Sequence, residues 1–367
     1  MTAADELTVL LMSGSWYENN AYMSLLSSAL REHGVDVRTP TLLLTFPLTR
    51  AALHNRAADV MQLDWIYDYY ATDDLSSPRL NDLVSYVRAV AFLMDLLIIS
   101  FLDVRIVRSV HNKRSHEGIY PRTERVINEC VFWVADAITV KCSAAADEIA
   151  SAYHVPEANE MHVVPDGNYI TAYENDVSRA ESRADLEIDD STFVYLFFGQ
   201  IRPYKGIPEL IESFISLDIP DSELWIVGSP YTSELEAEIR RLVADKSRIE
   251  TRLSFIPPDR VQYYLNAADV LVLPYRRILN SGSAHLGLSF ATPIVAPAIG
   301  CLPETVPPEN DFLYDPNEDA GLTRALRRTY ESGDLDRVGS ANYQRAHTQN
   351  WGRTCKLLIG VYARPET

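Results

Sequence analysis

Two cations in one short loop are the strongest chemical signal in this sequence. Arg202 and Lys205 lie three residues apart, between an apolar run that predicts a buried strand and a pattern that predicts a helix. Gly199 and Gly206 bound the loop and give its backbone conformational freedom. Two cations beside a helix N-terminus form an anion site, and their spacing suits a diphosphate. The alternative is a solvated basic loop, which the strand–loop–helix context disfavours.

The tripeptide Ser281-Gly282-Ser283 is a second candidate for anion binding. It opens a predicted helix over 282–290, after a loop that follows an apolar run. The first amides of a helix lack acceptors within their own helix, so they can face a phosphate group. Gly282 also permits a close approach of the backbone. We therefore expect these amides to bind the same diphosphate as Arg202 and Lys205.

Short apolar runs and helical patterns alternate along the chain around these residues. Predicted strands cover residues 7–12, 35–38, 59–63, 105–110 and 137–141, and then 193–198, 223–227, 252–255, 270–273 and 294–296. This alternation predicts an α/β fold with two Rossmann-like domains facing a cleft.

The same pattern divides the chain into four segments. Residues 1–170 are expected to form the N-terminal Rossmann-like domain, and residues 192–345 the C-terminal one. Between them, residues 171–191 hold seven acids, two arginines and almost no large aliphatic side chain, so they are interpreted as a linker or mobile loop. Residues 346–367 contain a predicted C-terminal helix, which is expected to cross back to the first domain.

Two stretches of the second half resemble a known enzyme family. Residues 197–206 resemble the donor-binding loop of GT-B fold glycosyltransferases of the retaining group called family 4, whose motif reads roughly G-[RQ]-[IL]-x-x-x-K-G. Residues 268–297 resemble that family's segment AD…LPS/PY…G…PVVA, in a subgroup with Ser-Gly in the loop. The resemblance extends more loosely over about residues 7–362.

The resemblance implies a metal-independent, retaining hexosyltransferase that moves a sugar from a nucleotide-sugar to a glycan or lipid-linked acceptor. It implies that Arg202 and Lys205 neutralise the donor diphosphate as it leaves, with Gly199 and the Ser281-Gly282-Ser283 loop also on the donor. Glu304 lies in a segment similar to the family's GG-PE loop, which implies a contact with the donor. The alternative for Glu304 is an acid at the start of a helix.

The first half resembles the same subgroup. His111 ends a predicted strand, where α/β folds bind ligands, and the resemblance implies that it contacts the donor sugar near the transferred carbon. A core or surface histidine is the alternative. The resemblance also implies six residues on the acceptor side or the N-domain part of the cleft, which are Asn20, Tyr22, Asn112, His116, Glu117 and Asp166.

Two other functions are considered, and a departure from the family motivates the first of them. The family usually has two glutamates, eight residues apart, where this sequence has Ile278 and Leu286. The second of them usually binds the donor ribose. The first alternative is therefore a non-catalytic nucleotide- or glycan-binding partner of a glycosyltransferase. The second is a GT-B fold epimerase or phosphorylase.

Charge limits the possible partners. The chain has 51 Asp and Glu against 33 Lys and Arg, a net charge of −18, which argues against sequence-independent binding of nucleic acid. Residues 105–125 are an exception, with six basic residues against two acidic ones. This segment predicts a basic patch for a lipid-phosphate acceptor or an anionic membrane surface. The alternative is a solvated face.

The remaining features bear on location and cofactors. The apolar stretch Ala89–Leu102 contains Asp95 and is too short to span a bilayer, so it predicts a buried helix or one lying on a membrane surface. The acids near residue 1 are unlike a signal peptide, and no cysteines have the CxxC spacing of a zinc knuckle. We expect a cytoplasmic protein that needs no metal or cofactor, with peripheral contact at the inner membrane face.

Overall fold

The computed structural model describes residues 7–14, 21–40, 45–72, 77–114, 120–156 and 160–363. These residues divide into two compact units. The first unit combines the chain up to Gly167 with the chain from Trp351 onward, and the second runs from Asn168 to Asn350. Each unit contains a sheet of six described strands, and all the strand pairs are parallel.

The first unit is an α/β unit with helices between the strands. Its strands are β1 (Thr8–Met12), β2 (Asp36–Arg38), β3 (Val60–Leu63), β4 (Arg105–Ser109), β5 (Ala137–Val140) and β6 (Met161–Val163). Its helices are α1 (Ala21–Glu32), α2 (Pro47–His54), α3 (Tyr67–Tyr70), α4 (Pro78–Ile99), α5 (Pro121–Val134), α6 (Ser143–Ala152) and the last helix of the chain, α15 (Trp351–Tyr362). The strand order is β2-β1-β3-β4-β5-β6.

The second unit repeats this architecture. Its strands are β7 (Phe193–Phe198), β8 (Ser222–Val227), β9 (Ile249–Arg252), β10 (Val270–Val272), β11 (Ile294–Pro297) and β12 (Leu313–Tyr314). Its helices are α7 (Arg179–Asp185), α8 (Ile207–Leu217), α9 (Ser233–Val243), α10 (Val261–Ala267), α11 (Gly282–Ser289), α12 (Leu302–Thr305), α13 (Gly321–Glu331) and α14 (Leu335–Thr348). The order β9-β8-β7-β10-β11-β12 is the Rossmann order, with its switch point between β7 and β10.

The apolar pattern of the sequence accounts for these elements. All residues of β1 and of β10 are buried, as expected for parallel strands that are covered by helices on both faces. In α8 the buried side chains recur at helical spacing, which places one apolar face on the sheet. The predicted α/β fold with two Rossmann-like domains is therefore confirmed.

Residues 171–191 form part of the second unit rather than a linker. Within them, α7 contains Arg183, which is almost fully buried. The Arg183 guanidinium donates to the Ala267 carbonyl at 3.1 Å and to the Asp269 carboxylate at 2.9 Å. These hydrogen bonds attach the segment to the rest of the second unit, a role that aliphatic contacts cannot fill because the segment has few aliphatic side chains.

The C-terminal helix α15 lies in the first unit. Its buried side chains join the core cluster that also holds residues of β1 and α1, and they include Trp351, Cys355, Leu358 and Tyr362. In addition, Arg105 at the start of β4 donates to the Val361 carbonyl at 3.1 Å.

The apolar stretch Ala89–Leu102 lies mainly in α4, and only one side of that helix is buried. Asp95 is on the buried side, where its carboxylate accepts from the amides of Leu48 at 2.7 Å and Thr49 at 2.9 Å. It thereby caps the N-terminus of α2. Among the helices of the described ranges, none is both long enough and apolar enough to cross a membrane.

Candidate active site

Two glycines pack against each other where neighbouring strands end, with Gly199 directly after β7 and Gly228 directly after β8. Gly199 has a φ of 127°, and its amide donates to the Val227 carbonyl at 3.0 Å. A Cβ on Gly228, which also has a positive φ, would clash with the Gly199 carbonyl. This close approach needs glycine at both positions, and it sets the direction in which the loop leaves the sheet.

Arg202 is held in this loop from two sides. Its guanidinium lies over the Tyr231 ring, 4.3 Å from the ring centroid, and its Nε donates to the Gln200 side chain at 3.0 Å. The residue is buried. Stacking and hydrogen bonding together fix the plane of the guanidinium, which is the geometry that planar recognition of phosphate requires.

Lys205 is a buried cation without a carboxylate. Its Nζ lies 5.7 Å from the ring centroids of both Phe197 and Tyr275. Among the described residues, no carboxylate lies within ion-pair distance of this ammonium. Burial, and then the charge of Arg202, lower the pKa of Lys205 to about 8. The domain therefore holds a positive charge in a place where an anion would be stabilised.

The Ser281-Gly282-Ser283 loop meets Lys205 beside Gly199. A Cβ on Gly199 would lie 3.0 Å from Ser283 Oγ and 3.5 Å from Lys205 Nζ, so these two groups lie near one point. Ser281 caps α11, because its Oγ accepts from the Ala284 amide at 3.1 Å. Among the described residues, no acceptor is found for the amides of Gly282 and Ser283.

These two loops follow β7 and β10, the adjacent strands at the switch point of the sheet. In open α/β sheets, ligands bind outside the carboxyl ends of strands at such a point. The arrangement offers two cations, two helix amides and a hydroxyl, all of which suit a diphosphate.

In the first unit, His111 is fixed two residues beyond the end of β4. Its Nε2 lies 2.8 Å from Asp64 Oδ1, and its ring stacks on Trp65 with centroids 4.1 Å apart. Tyr22 contacts the same imidazole edge-on at 4.9 Å. Burial lowers the pKa of His111, and the charge of Lys141 acts in the same direction, whereas the bond to Asp64 opposes them. The imidazole is therefore neutral at pH 7.

A buried ion pair lies next to this histidine. Lys141 follows β5 directly, and its Nζ lies 2.9 Å from Asp166 Oδ1 and donates to the Tyr22 hydroxyl at 2.9 Å. Tyr22, His111 and Asp166 thus join one cluster at the carboxyl ends of the strands. An ion pair removed from water costs free energy unless its partners are well placed, so this cluster is a candidate functional centre.

Comparison with known proteins assigns the second unit to a family. Residues 178–345 match the family described as "Glycosyl transferases group 1". Over 173 residues the chain is 34% identical to a GDP-mannose:glycolipid 4-beta-D-mannosyltransferase of Xanthomonas campestris pv. campestris, with 46% of this chain and 47% of that protein covered. The second unit is a group 1 glycosyltransferase domain.

Two further likenesses extend beyond the group 1 domain. Over 276 residues the chain is 30% identical to a D-inositol 3-phosphate glycosyltransferase of Acidothermus cellulolyticus, with 69% of this chain and 59% of that protein covered. The chain thus spans about half to three-fifths of the length of these curated relatives. A sucrose-phosphate synthase structure from Thermosynechococcus elongatus has a TM-score of 0.74 at 18% identity, with 97% of this chain and 98% of that chain covered. This likeness shows the GT-B fold.

The positions of the missing glutamates lie in the interior of the group 1 domain. Leu286 is buried in its core, and Ile278 packs against the same cluster. Glu304 lies in the first turn of the short helix α12, where its amide donates to the Cys301 carbonyl at 3.1 Å. Its carboxylate is exposed, and its contact with a donor stays a prediction.

The predicted site residues do not include two members of the cluster in the unit that precedes the group 1 domain. Asp64 and Lys141 each follow a strand directly, and that position was the signal that could have found them. Asn112 is half-buried beside His111. Three predicted site residues, Asn20, His116 and Glu117, lie outside the described residues. The described residues contain no group of three or more His, Cys, Asp or Glu side chains that could hold a metal ion.

The basic segment 105–125 does not form one patch among its described residues. Arg108 is buried, and its guanidinium donates to the Leu63 carbonyl at 2.9 Å. Lys113 pairs with Glu148, and Arg125 pairs with Glu129. The expectation of a single basic patch was wrong, because the strand β4 carries some of these side chains inward.

Proposed function

We propose that this chain is a retaining, metal-independent hexosyltransferase that moves a sugar from a nucleotide-sugar to a glycan or lipid-linked acceptor. The observation that carries this proposal is the buried ammonium of Lys205, which lies beside Ser283 at the switch point of a group 1 domain. A buried cation that pairs with none of the described carboxylates costs free energy unless a bound anion neutralises it. The diphosphate of a nucleotide-sugar is such an anion.

The chemistry follows from where charge develops. As the bond between the sugar and the β-phosphate breaks, negative charge grows on the leaving diphosphate. Arg202, Lys205 and the first amides of α11 are preorganised for that charge, so they stabilise the transition state more than the bound donor. In this proposal these groups stabilise the diphosphate charge in place of a divalent cation. A chelator should therefore leave the rate of transfer unchanged.

Retention is a separate part of the proposal. It rests on the resemblance to family 4, in which the leaving phosphate helps to deprotonate the acceptor and no carboxylate nucleophile is required. The Xanthomonas campestris relative is named as a 4-beta-D-mannosyltransferase. The anomeric configuration of this chain's own product, determined by NMR, is therefore the measurement that decides between retention and inversion.

The acceptor belongs to the same proposal. That relative is named as acting on a glycolipid, which supports a lipid-linked glycan or an exopolysaccharide intermediate as the acceptor. We place the protein in the cytoplasm, in peripheral contact with the inner membrane face. His111 and the Lys141–Asp166 pair would then act on the sugar and acceptor side of the reaction.

A nucleotide screen tests the donor site first. Thermal shifts with UDP, GDP, ADP and dTDP should single out one base, since a ligand at about 100 times its Kd adds about 2.7 kcal/mol. Transfer is then measured with the labelled nucleotide-sugar of that base. The variant with both Arg202→Ala and Lys205→Ala should lose transfer and keep its fold.

The control is the double variant Arg241→Ala and Lys246→Ala, which removes two exposed cations of the same domain and should transfer normally. Full activity of the Arg202 and Lys205 double variant would contradict the proposal. Binding of a nucleotide without turnover would favour the non-catalytic partner. Stabilisation by phosphate but by none of the nucleotides would favour a phosphorylase, and isomerised donor would favour an epimerase.

A further inference from the structure

The exposed face of α4 is a long apolar stripe. It consists of large apolar side chains that are exposed and that recur every three or four residues. The members are Leu80, Leu83, Tyr86, Val87, Val90, Met94, Leu97 and Ile98, with Phe101 just beyond the helix. At 3.6 residues per turn they occupy a sector about 120° wide. The helix has 22 residues, so the stripe is about 33 Å long.

This stripe is free of charge along most of its length. From Leu83 to Phe101 the exposed positions carry no charged side chain, in a chain with a net charge of −18. The two charged residues in that interval are turned away, because Asp95 caps α2 and Arg88 donates to the Asp68 carbonyl. A contiguous apolar face of this size marks an interaction surface.

Exposed charged residues lie at both ends of the stripe, with Asp103 just beyond Phe101 and a cluster that includes two arginines at the start of α4. The Tyr120 hydroxyl donates to Asp82 at 3.2 Å, which brings the start of α5 to the start of α4. Arg79 in α4 and Arg122 in α5 are exposed at these starts. A helix between parallel strands runs antiparallel to them, so this is also the edge of the sheet that carries His111. On the side of the candidate site, the apolar face therefore ends in two arginines and one aspartate.

We propose that this stripe lies on a lipid bilayer, with its apolar side chains at the boundary between headgroups and acyl chains and with Arg79 and Arg122 at lipid phosphates. An apolar sector flanked by arginine at one end, with Tyr86 and Phe101 among its members, fits a flat interface. No described helix spans a membrane, so the contact is peripheral. It deepens the proposed function by presenting the first unit to a lipid-linked acceptor.

A second copy of the chain fits the stripe less well. Paired helices usually carry opposite charges along the edges of their apolar seam, whereas the edges of this stripe are formed by Tyr86 and Ile98. In addition, each copy carries a net charge of −18. We therefore treat a dimer as a rival result of the experiment.

Flotation of the full chain with vesicles tests the proposal. Vesicles of phosphatidylcholine, and of phosphatidylcholine mixed with phosphatidylglycerol, should both carry the protein, and the bound fraction should persist at high salt because the stripe is uncharged. The variant Leu83→Gln, Val90→Gln, Met94→Gln and Leu97→Gln should lower the partition coefficient at least about tenfold. Circular dichroism should show an unchanged fold, since these side chains are exposed.

The matched control is Ile215→Gln with Phe255→Gln, which removes two exposed apolar side chains of the second unit and should leave partition unchanged. Failure of the wild-type chain to float with either vesicle would overturn the proposal. So would equal binding by the four-residue variant, or a dimer in light scattering that this variant dissociates. Flotation requires no turnover, so its result is independent of the nucleotide screen.

Discussion

The Nε2 atom of His111 lies 2.8 Å from Oδ1 of Asp64, and this contact determines which ring nitrogen carries the proton. A carboxylate only accepts hydrogen bonds, so the neutral imidazole has its proton on Nε2. Asp64 is itself fixed by the Gln62 amide at 3.0 Å. The lone pair of the ring is therefore on Nδ1, which is the nitrogen left to accept a proton or a hydrogen bond from a ligand.

Asp64→Asn should reverse this tautomer. The new amide can donate to Nε2, so the proton of His111 should move to Nδ1, and transfer should fall about 10²- to 10⁴-fold. Nitrogen NMR of the imidazole reads the tautomer directly. Asp59→Asn is the control, because Asp59 directly precedes β3 at the opposite end from Asp64, and its carboxylate accepts from the Thr8 amide rather than from His111. Persistence of the original tautomer in Asp64→Asn would refute the assignment.

Binding of a nucleoside diphosphate should weaken as pH rises through about 8. Burial lowers the pKa of Lys205 to about 8, so the free protein loses its ammonium above that pH. Lys205→Arg keeps a charged side chain and should bind without this pH dependence. Calorimetric titration of both proteins on either side of pH 8 measures the effect. A flat wild-type profile would show that the ammonium does not contribute to binding.

Lys205→Met should stabilise the protein at pH 7 even though it removes donor binding. The folded-state pKa of about 8 is below the ordinary 10.5, so between these values the unfolded chain holds the extra proton and stability rises with pH. Below pH 8 the folded domain keeps a desolvated charge. Removing it should raise the free energy of unfolding by about 1–3 kcal/mol.

Urea unfolding measures this gain, and Lys246→Met, at an exposed position of the same domain, should change stability by less than about 0.5 kcal/mol. A loss of stability in Lys205→Met would mean that the ammonium is satisfied in the free protein.

Gly206→Ala should cost more than Gly34→Ala. Both glycines have a positive φ, 69° and 81° respectively, so both substitutions carry the strain of that conformation, about 1 kcal/mol. A Cβ at position 206 would also clash with the Pro274 carbonyl, whereas nothing lies within 4 Å at position 34. The difference in unfolding free energy should exceed about 1 kcal/mol, and nucleotide binding should fall only in Gly206→Ala. Equal costs would show that the loop yields without strain.

Arg183→Met should destabilise the second unit by about 3 kcal/mol, because it deprives Asp269 and several carbonyls of a buried donor. Arg179→Met removes the other arginine on the same carboxylate, but its side chain is 46% exposed, and the cost should stay below about 1 kcal/mol. Differential scanning calorimetry compares the two. Equal melting temperatures of the two variants would show that Arg183 does not stabilise the attachment of α7.

Much of the fold was predictable because most strands are buried on both faces. The strand Phe193–Phe198 and the helix Ile207–Leu217 were predicted at the bounds that the structure has. The strand predicted at 252–255 lies three residues earlier in the structure, at Ile249–Arg252. An edge strand has one neighbour and few buried positions, and the apolar Phe255 that drew the prediction is 75% exposed.

The candidate site was predictable where its residues are contiguous. Arg202 and Lys205 lie in one loop, so their spacing could be read directly. His111 and Asp64 are 47 residues apart, and Lys141 comes from yet another strand. Their association depends on the strand order of the sheet, which no local pattern specifies.

The position of α15 has a consequence for synthesis on the ribosome. The second unit is one uninterrupted segment of chain, whereas the first needs both Tyr22 and Trp351 in a single core. Domains generally fold as units during synthesis. The second unit can therefore fold before α15, which completes the core of the first unit, has been synthesised. The unit that is started first is completed last, and a nascent chain halted before Trp351 would expose the unfinished core of the first unit to chaperones and proteases.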